Sequence, residues 1–276
     1  MIRTYGWLRC GAVSSAHLNG IDIYFERSGS GPRLLFINGS GSTLEMSRPL
    51  LGVFTERFDL LAHDQRGLGK TTIPDGPYTM AEYAADAAAV AESIGWDSYR
   101  VVGVSFGGMV AQELAVTFPE RLDRLALVCT SPGGAGGASY PLHTLGDKTA
   151  AERAAIGLSI LDTRFTPEWL AEHPSDKGLA DIMASRGNVS KSADVIRGEA
   201  LQLEARSHHD VYSRLGRITC PTFVASGRYD GIAPPANGEA IASQVPNAEL
   251  HLYEGGHAFF YQDRQAMPDI VNFLAG

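Results

Sequence analysis

The chain has 276 residues, 44% hydrophobic and 20% charged, which suits one large α/β domain or a domain carrying an insertion. A formal charge of -8 without clustered Lys and Arg excludes nucleic acid or an anionic membrane surface as a main partner. Its three cysteines, Cys10, Cys129 and Cys220, are an odd number at unrelated spacings, which indicates neither a disulfide framework nor a metal site. Two of them sit beside apolar runs, where a thiol packs as a small hydrophobe.

The opening MIRTYGWLRCGAVSSA lacks the apolar stretch of a signal peptide, and no window reaches the roughly 18 apolar residues that span a bilayer. The expectation is a soluble, cytoplasmic protein in which residues 1–14 form a loose extension. From Ile21 the runs IDIYFERSG, RLLFING and RFDLLAHD read as short strands ended by Gly, Asn or Asp. TMAEYAADAAAVAESIG has helix spacing, with Thr79 and Glu82 as a capping box and Gly95 as its stop. A strand RVVGV, a helix from Phe106 to Phe118 and a strand RLALVCT follow, and this alternation predicts a largely parallel sheet covered on both faces.

The alternation breaks at TSPGGAGG. Residues 137–215 contain helical patterns (DKTAAERAAIGLSIL, TPEWLAEH, KSADVIRGEALQLEARS) and no convincing strand, so they read as a helical cap inserted into a core of 15–136 and 216–276. CPTFVASG, PPANGEAIASQV, AELHLYEG and DRQAMPDIVNFLAG then resume the strand and helix alternation.

Chemistry concentrates at turns after strands. Gly103-Val104-Ser105-Phe106-Gly107 fits G-x-S-x-G, in which a strand-to-helix turn exposes a nucleophilic serine; the plainer alternative is a Gly-rich turn packing a helix on the sheet. A serine hydroxyl needs a base, and the base needs an orienting acid. His257 in YEGGHAFF follows a predicted strand on a Gly-Gly loop, whereas His251 lies inside that strand. His208 and His209 fall in the insertion, and His63 and His173 have no catalytic context. Asp230 in SGRYDGIAPP is the candidate acid; its competing role is an Asx-turn ahead of Gly231, and Glu254 is the fallback. Oxyanion donors are expected from the backbone N–H of Phe106 and of Ser40 in the loop Asn38-Gly39-Ser40-Gly41-Ser42, which lacks both P-loop and G-x-G-x-x-G spacing.

NGSGS, DQRGLGKT, GVSFGG, GRYDGIAP and GGHAFF together resemble the α/β-hydrolase fold over nearly all the chain after residue 20. Within that fold the chain is similar to small serine esterases and 3-oxoadipate enol-lactonases, whose helical cap falls where residues 140–215 lie here. One departure stands out: most members carry His-Gly where this chain has Asn38-Gly39. The resemblance implies hydrolysis through an acyl-enzyme with Ser105, Asp230 and His257 as triad, no cofactor and no metal. Ser105 argues against relatives that use Asp as nucleophile.

The expected partner is a small-molecule ester, and self-association is left open. Candidate pocket residues are Asn38, Gly39, Met109, Tyr140, Leu142, Leu161, Phe165, Trp169, Tyr212 and Phe259, although buried aromatics are commonly core. Arg153, Arg164, Arg186, Arg197 and Arg206 read as scattered, solvated cations with no carboxylate clamp among them, which favours a neutral, mainly apolar ester. Enol-lactone hydrolysis, carbon-carbon bond hydrolysis on the same triad and ligand binding without turnover are the alternatives.

Overall fold

A computed structural model describes residues 12–187 and 191–276. Eight strands form one sheet: β1 (Ala12–Leu18), β2 (Ile21–Gly29), β3 (Arg33–Ile37), β4 (Asp59–His63), β5 (Tyr99–Val104), β6 (Leu122–Val128), β7 (Thr222–Gly227) and β8 (Ala248–Tyr253). Their spatial order is β1-β2-β4-β3-β5-β6-β7-β8. The β1, β2 and β4 neighbours pair antiparallel, and all pairs from β4 to β8 are parallel.

Residue alternation in the strands divides the core. Leu35, Ile37 and Val101 face one side, packed with Tyr83, Ala87 and Ala91 of α2 (Met80–Ser93), while Leu34, Phe36 and Val102 face the other. On the first side α3 (Phe106–Thr117) adds Val110 and Leu114; on the second, α1 (Leu44–Thr55) adds Leu51 and Phe54. Each such fully buried aliphatic or aromatic side chain contributes about 1.5–3 kcal/mol by leaving water. The Thr79 and Glu82 capping box forms as the sequence predicts.

Between β6 and β7 lie α4 (Ala150–Leu161), α5 (Pro167–Glu172), α6 (Pro174–Gly187) and α7 (Ala193–Ser207). Among the described residues this stretch holds no strand. The chain closes through α8 (Pro235–Gln244), α9 (Phe259–Gln262) and α10 (Ala266–Ala275). Among the described residues no helix is long and apolar enough to cross a membrane.

Residues 12–14 are not loose. They pair with Arg27, Glu26 and Phe25 in β1, which gives their backbone groups hydrogen-bond partners. The rest of the expected extension, Cys10 included, lies outside the described residues.

Candidate active site

The nucleophile position is built by β5 running into α3. Ser105 sits between them at φ 57° and ψ -116°, a left-handed conformation that costs a non-glycine residue about 1–3 kcal/mol. Three contacts hold it there. Its N–H donates to the Val128 carbonyl at 2.8 Å, and its own carbonyl accepts from Thr130 Oγ1 at 2.8 Å and from Gly108 N–H at 2.9 Å. The flanking glycines are steric requirements, since a Cβ on Gly103 would meet the Gly107 carbonyl at 2.3 Å and one on Gly107 would meet the Ile37 carbonyl at 2.1 Å.

The other two members of the expected triad arrive on the loops after β7 and β8. His257 Nε2 lies 2.9 Å from Ser105 Oγ, and His257 Nδ1 lies 2.8 Å from Asp230 Oδ2. With Nδ1–H donating to the carboxylate, Nε2 is left to accept the serine proton. The second oxygen of Asp230 accepts from Ile232 N–H and Ala233 N–H, both at 2.8 Å. Asp230 therefore makes its Asx-turn and reaches the histidine at once. Burial lowers the pKa of His257, but the Asp230 carboxylate and the adjacent Cys129 thiol outweigh it and hold the ring well above the ordinary histidine value.

The insertion fixes these loops. The last turn of α4 gives its Ile160 carbonyl to Gly231 N–H at 3.0 Å and its Leu161 carbonyl to His257 N–H at 2.6 Å. Glu254, the fallback acid, instead pairs with Arg228 at 3.2 Å on the surface.

The loop after β3 passes directly over Ser105: a Cβ on Gly39 would lie 3.5 Å from that of Ser105. Gln65 Nε2 anchors it by donating to the Asn38 carbonyl at 2.9 Å, and Ser47 Oγ donates to Asn38 Oδ1 at 2.6 Å. Asn38 Nδ2 is buried without a partner among the described residues, so it adds a side-chain donor to this wall. Ser40 lines the same space, and Phe106, fully buried, opens α3 with its N–H at the helix N-terminus.

Above these groups is a cavity of about 270 Å³. Asn38, Gly39, Leu142 and Leu161 line it as the sequence predicts. Sequence reasoning missed Met46, Leu50, Ile232, Phe260 and, from the insertion, Met183. Cys129, read as inert packing, also reaches this wall while 1% exposed. No Lys or Arg lines the cavity among the described residues.

Six expected pocket residues stand elsewhere. Met109 lines a neighbouring cavity, and Phe165 is 5% exposed within the insertion. Trp169 stacks on His173 at 3.8 Å and donates Nε1–H to Asp176 at 2.9 Å. Phe259 is fully buried against Tyr253, and Tyr212 packs on the core beside Gly136. Tyr140 offers its carbonyl to Arg206 Nη1 at 2.8 Å. Phe165 and Phe259 are buried, the ordinary place of an aromatic ring, whereas Tyr140, Trp169 and Tyr212 are half-buried.

Arg153 and Arg197 are exposed as the sequence predicts, whereas Arg164 is half-buried and Arg206 is buried. Arg164 pairs with Asp162 at 2.6 Å over the Tyr229 ring, Arg197 binds the Pro74 carbonyl and Asp75, and Arg153 donates to the Lys148 carbonyl. Arg206 is only 5% exposed. The side chain of Arg186 lies outside the described residues.

A family model described as alpha/beta hydrolase fold matches residues 32–263. The chain is 28% identical over 250 residues to a poly(3-hydroxyalkanoate) depolymerase of Ectopseudomonas oleovorans, covering 87% of this chain and 83% of that one. It is 25% identical over 246 residues to 3-oxoadipate enol-lactonase 2 of Acinetobacter baylyi, covering 87% of each. Among solved structures, a hydrolase from Pseudomonas aeruginosa superposes with a TM-score of 0.76 at 27% identity, covering 97% of this chain and 100% of the other.

Proposed function

Because this chain belongs to the alpha/beta hydrolase fold family, we propose that it cleaves a small, mainly apolar carboxylic ester through an acyl-enzyme. The observation that carries this reading is the hydrogen-bonded line from Ser105 through His257 to Asp230, opening into a cavity free of cations among the described residues. Two relatives whose names specify depolymerisation of a hydroxyalkanoate polyester and opening of an enol-lactone support ester chemistry.

In the first half-reaction His257 Nε2 takes the Ser105 proton as Oγ attacks the ester carbonyl carbon. The carbonyl oxygen becomes an alkoxide, stabilised by the backbone N–H groups of Ser40 and Phe106. Collapse breaks the bond to the leaving oxygen, and imidazolium Nε2–H protonates the departing alcohol. Water then repeats the sequence on the acyl-Ser105, releasing the carboxylic acid. Asp230 keeps Nδ1 protonated and stabilises the imidazolium in both halves.

Residues 137–215 act as a cap, supplying Leu142, Leu161 and Met183 to the substrate cavity. At about 270 Å³ that cavity is smaller than the roughly 300–1,000 Å³ typical of drug-sized ligand sites, which favours a short acyl group. The testing measurement is hydrolysis of p-nitrophenyl esters of graded acyl length beside Ser105→Ala. The expected result is an optimum at short acyl chains and a loss of at least about 10³-fold in kcat for the variant. A folded wild type that turns over none of the series sinks the ester reading, and enol-lactones or vinylogous diketones become the substrates to try.

A further inference from the structure

Next to the catalytic cavity is a second one of about 100 Å³, walled by Met109, Ser131, Pro141, Arg206 and His209 among others. Arg206 stands in the last turn of α7, 95% buried by its 5% exposure. Its Nη1 donates to the Tyr140 carbonyl at 2.8 Å, but Nε and Nη2 are buried without a hydrogen-bond partner among the described residues. Among the described residues no carboxylate counters the charge: burial alone acts on the group, pushing its pKa down to about 10. It remains a cation at neutral pH. Ser131 Oγ is also buried and unpartnered, and burial keeps His209 neutral with a pKa of about 4.

The two unused donors define a ligand shape. Nε–H and Nη2–H lie on the same edge of the guanidinium and project two parallel donors, the spacing that matches both oxygens of one carboxylate. A buried cation left unpaired is strongly unfavourable, so this edge calls for an anion. The cavity is equal to about three water volumes, which limits that anion to a carboxylate with a few carbons. We propose that the Arg206 cavity is a binding site for a small organic carboxylate, with Arg206 gripping both oxygens and Ser131 Oγ–H adding a third donor.

The site adjoins the catalytic cavity. Met109 lies four residues after Ser105, about one turn of α3, and its N–H reaches the Ser105 carbonyl at 3.3 Å. Leu142 lines the catalytic cavity while its neighbour Pro141 lines that of Arg206. The carboxylate therefore comes either from a free short acid or from the far end of a substrate whose tail passes Met109 and Leu142.

The binding test uses wild-type protein at constant ionic strength, with acetate, propionate and glutarate titrated calorimetrically and acetamide as the neutral match. The expected result is saturable binding of at least one acid, a rise in Tm with that acid and none with acetamide, and at least tenfold weaker binding in Arg206→Met and in Ser131→Ala. Absence of saturable binding in the wild type, or equal effects of acid and amide, overturns the proposal even if Arg206→Met does not fold. Equal acid affinity in folded Arg206→Met does so too.

The source is read from kcat/KM for the p-nitrophenyl monoester of glutaric acid relative to p-nitrophenyl valerate. A tenfold or greater fall of that ratio in Arg206→Met assigns the carboxylate to the substrate; an unchanged ratio, with the wild type binding the acid and the variant not, assigns it to a free acid. Only this arm rests on the proposed esterase function. If neither these two esters nor any of the graded series is hydrolysed, that function fails while the calorimetric result still decides the site.

Discussion

Asp230 divides its two oxygens between backbone and imidazole, one tying the turn through Ile232 and Ala233 and the other facing His257. Asp230→Asn keeps the turn acceptor and replaces the histidine acceptor with an amide, so the protein should fold with a Tm loss small beside its activity loss. Its kcat should fall by about 10³–10⁴-fold because His257 is left in the wrong tautomer. A Tm loss matching the activity loss would instead mark Asp230 as structural. His257 must be neutral to accept a proton, and its pKa is raised against burial chiefly by the Asp230 charge. The acid limb of kcat/KM should therefore lie above the ordinary value of about 6.5 and move down in Asp230→Asn, as a pH profile would record. These residues were legible because each is a reactive type on a glycine-flanked turn after a strand. Arg206 was misread, although Gly198, Gln202, Ala205 and Arg206, buried at i, i+4, i+7 and i+8, mark one helix face. That face is too polar to announce its burial in a hydrophobicity pattern.

Two helix glycines show how an element's surroundings set the sign of one substitution. Gly107→Ala in α3 drives a methyl into the Ile37 and Asn38 carbonyls, at 2.1 and 2.5 Å, and should cost roughly 3 kcal/mol or more while displacing the loop over Ser105. Gly157→Ala in α4 meets nothing within 4 Å and gains the helix preference of Ala, about 0.5–1 kcal/mol, or about 1–3 °C in Tm. Thermal melts of both variants check the pair; equal shifts would refute the steric account. The missed elements failed for identifiable reasons. Pro49 interrupts the pattern of α1, where Thr43 caps the start and Asp64 accepts Leu44 N–H at 2.7 Å. Pro174 looks like a stop after His173 but opens α6, whose polar surface lacks a continuous apolar stripe. In β1, the stretch AVSSAHL is half polar because it is an edge strand with β2 as its neighbour.

Across the whole molecule, buried histidines tie stability to pH in opposite directions. Burial pushes His63 and His209 down to about 4, so as pH falls below about 6.5 the unfolded chain binds protons that the folded one refuses. Each then removes up to about 1.4 kcal/mol per pH unit until its folded pKa is reached. His257, raised, contributes stability that is full below about 6.5 and is lost as pH rises through its folded pKa. Denaturant midpoints should drop between pH 6.5 and 4.5, and His63→Gln should flatten that drop whatever its effect at neutral pH; an unchanged slope would refute the linkage. The sheet-and-helix alternation was readable over most of the chain because buried parallel strands are apolar and short. Which insertion side chains turn inward was not, since that depends on where α4 to α7 settle on the core. The chain separation within the site has a further consequence in time. Ser105 and His257 are 152 residues apart, so at about 5–20 residues per second a ribosome needs about 8–30 s to supply His257 after Ser105. On the proposed reaction, a nascent chain that lacks β8 and its loop has Ser105 without His257 and should hydrolyse no ester.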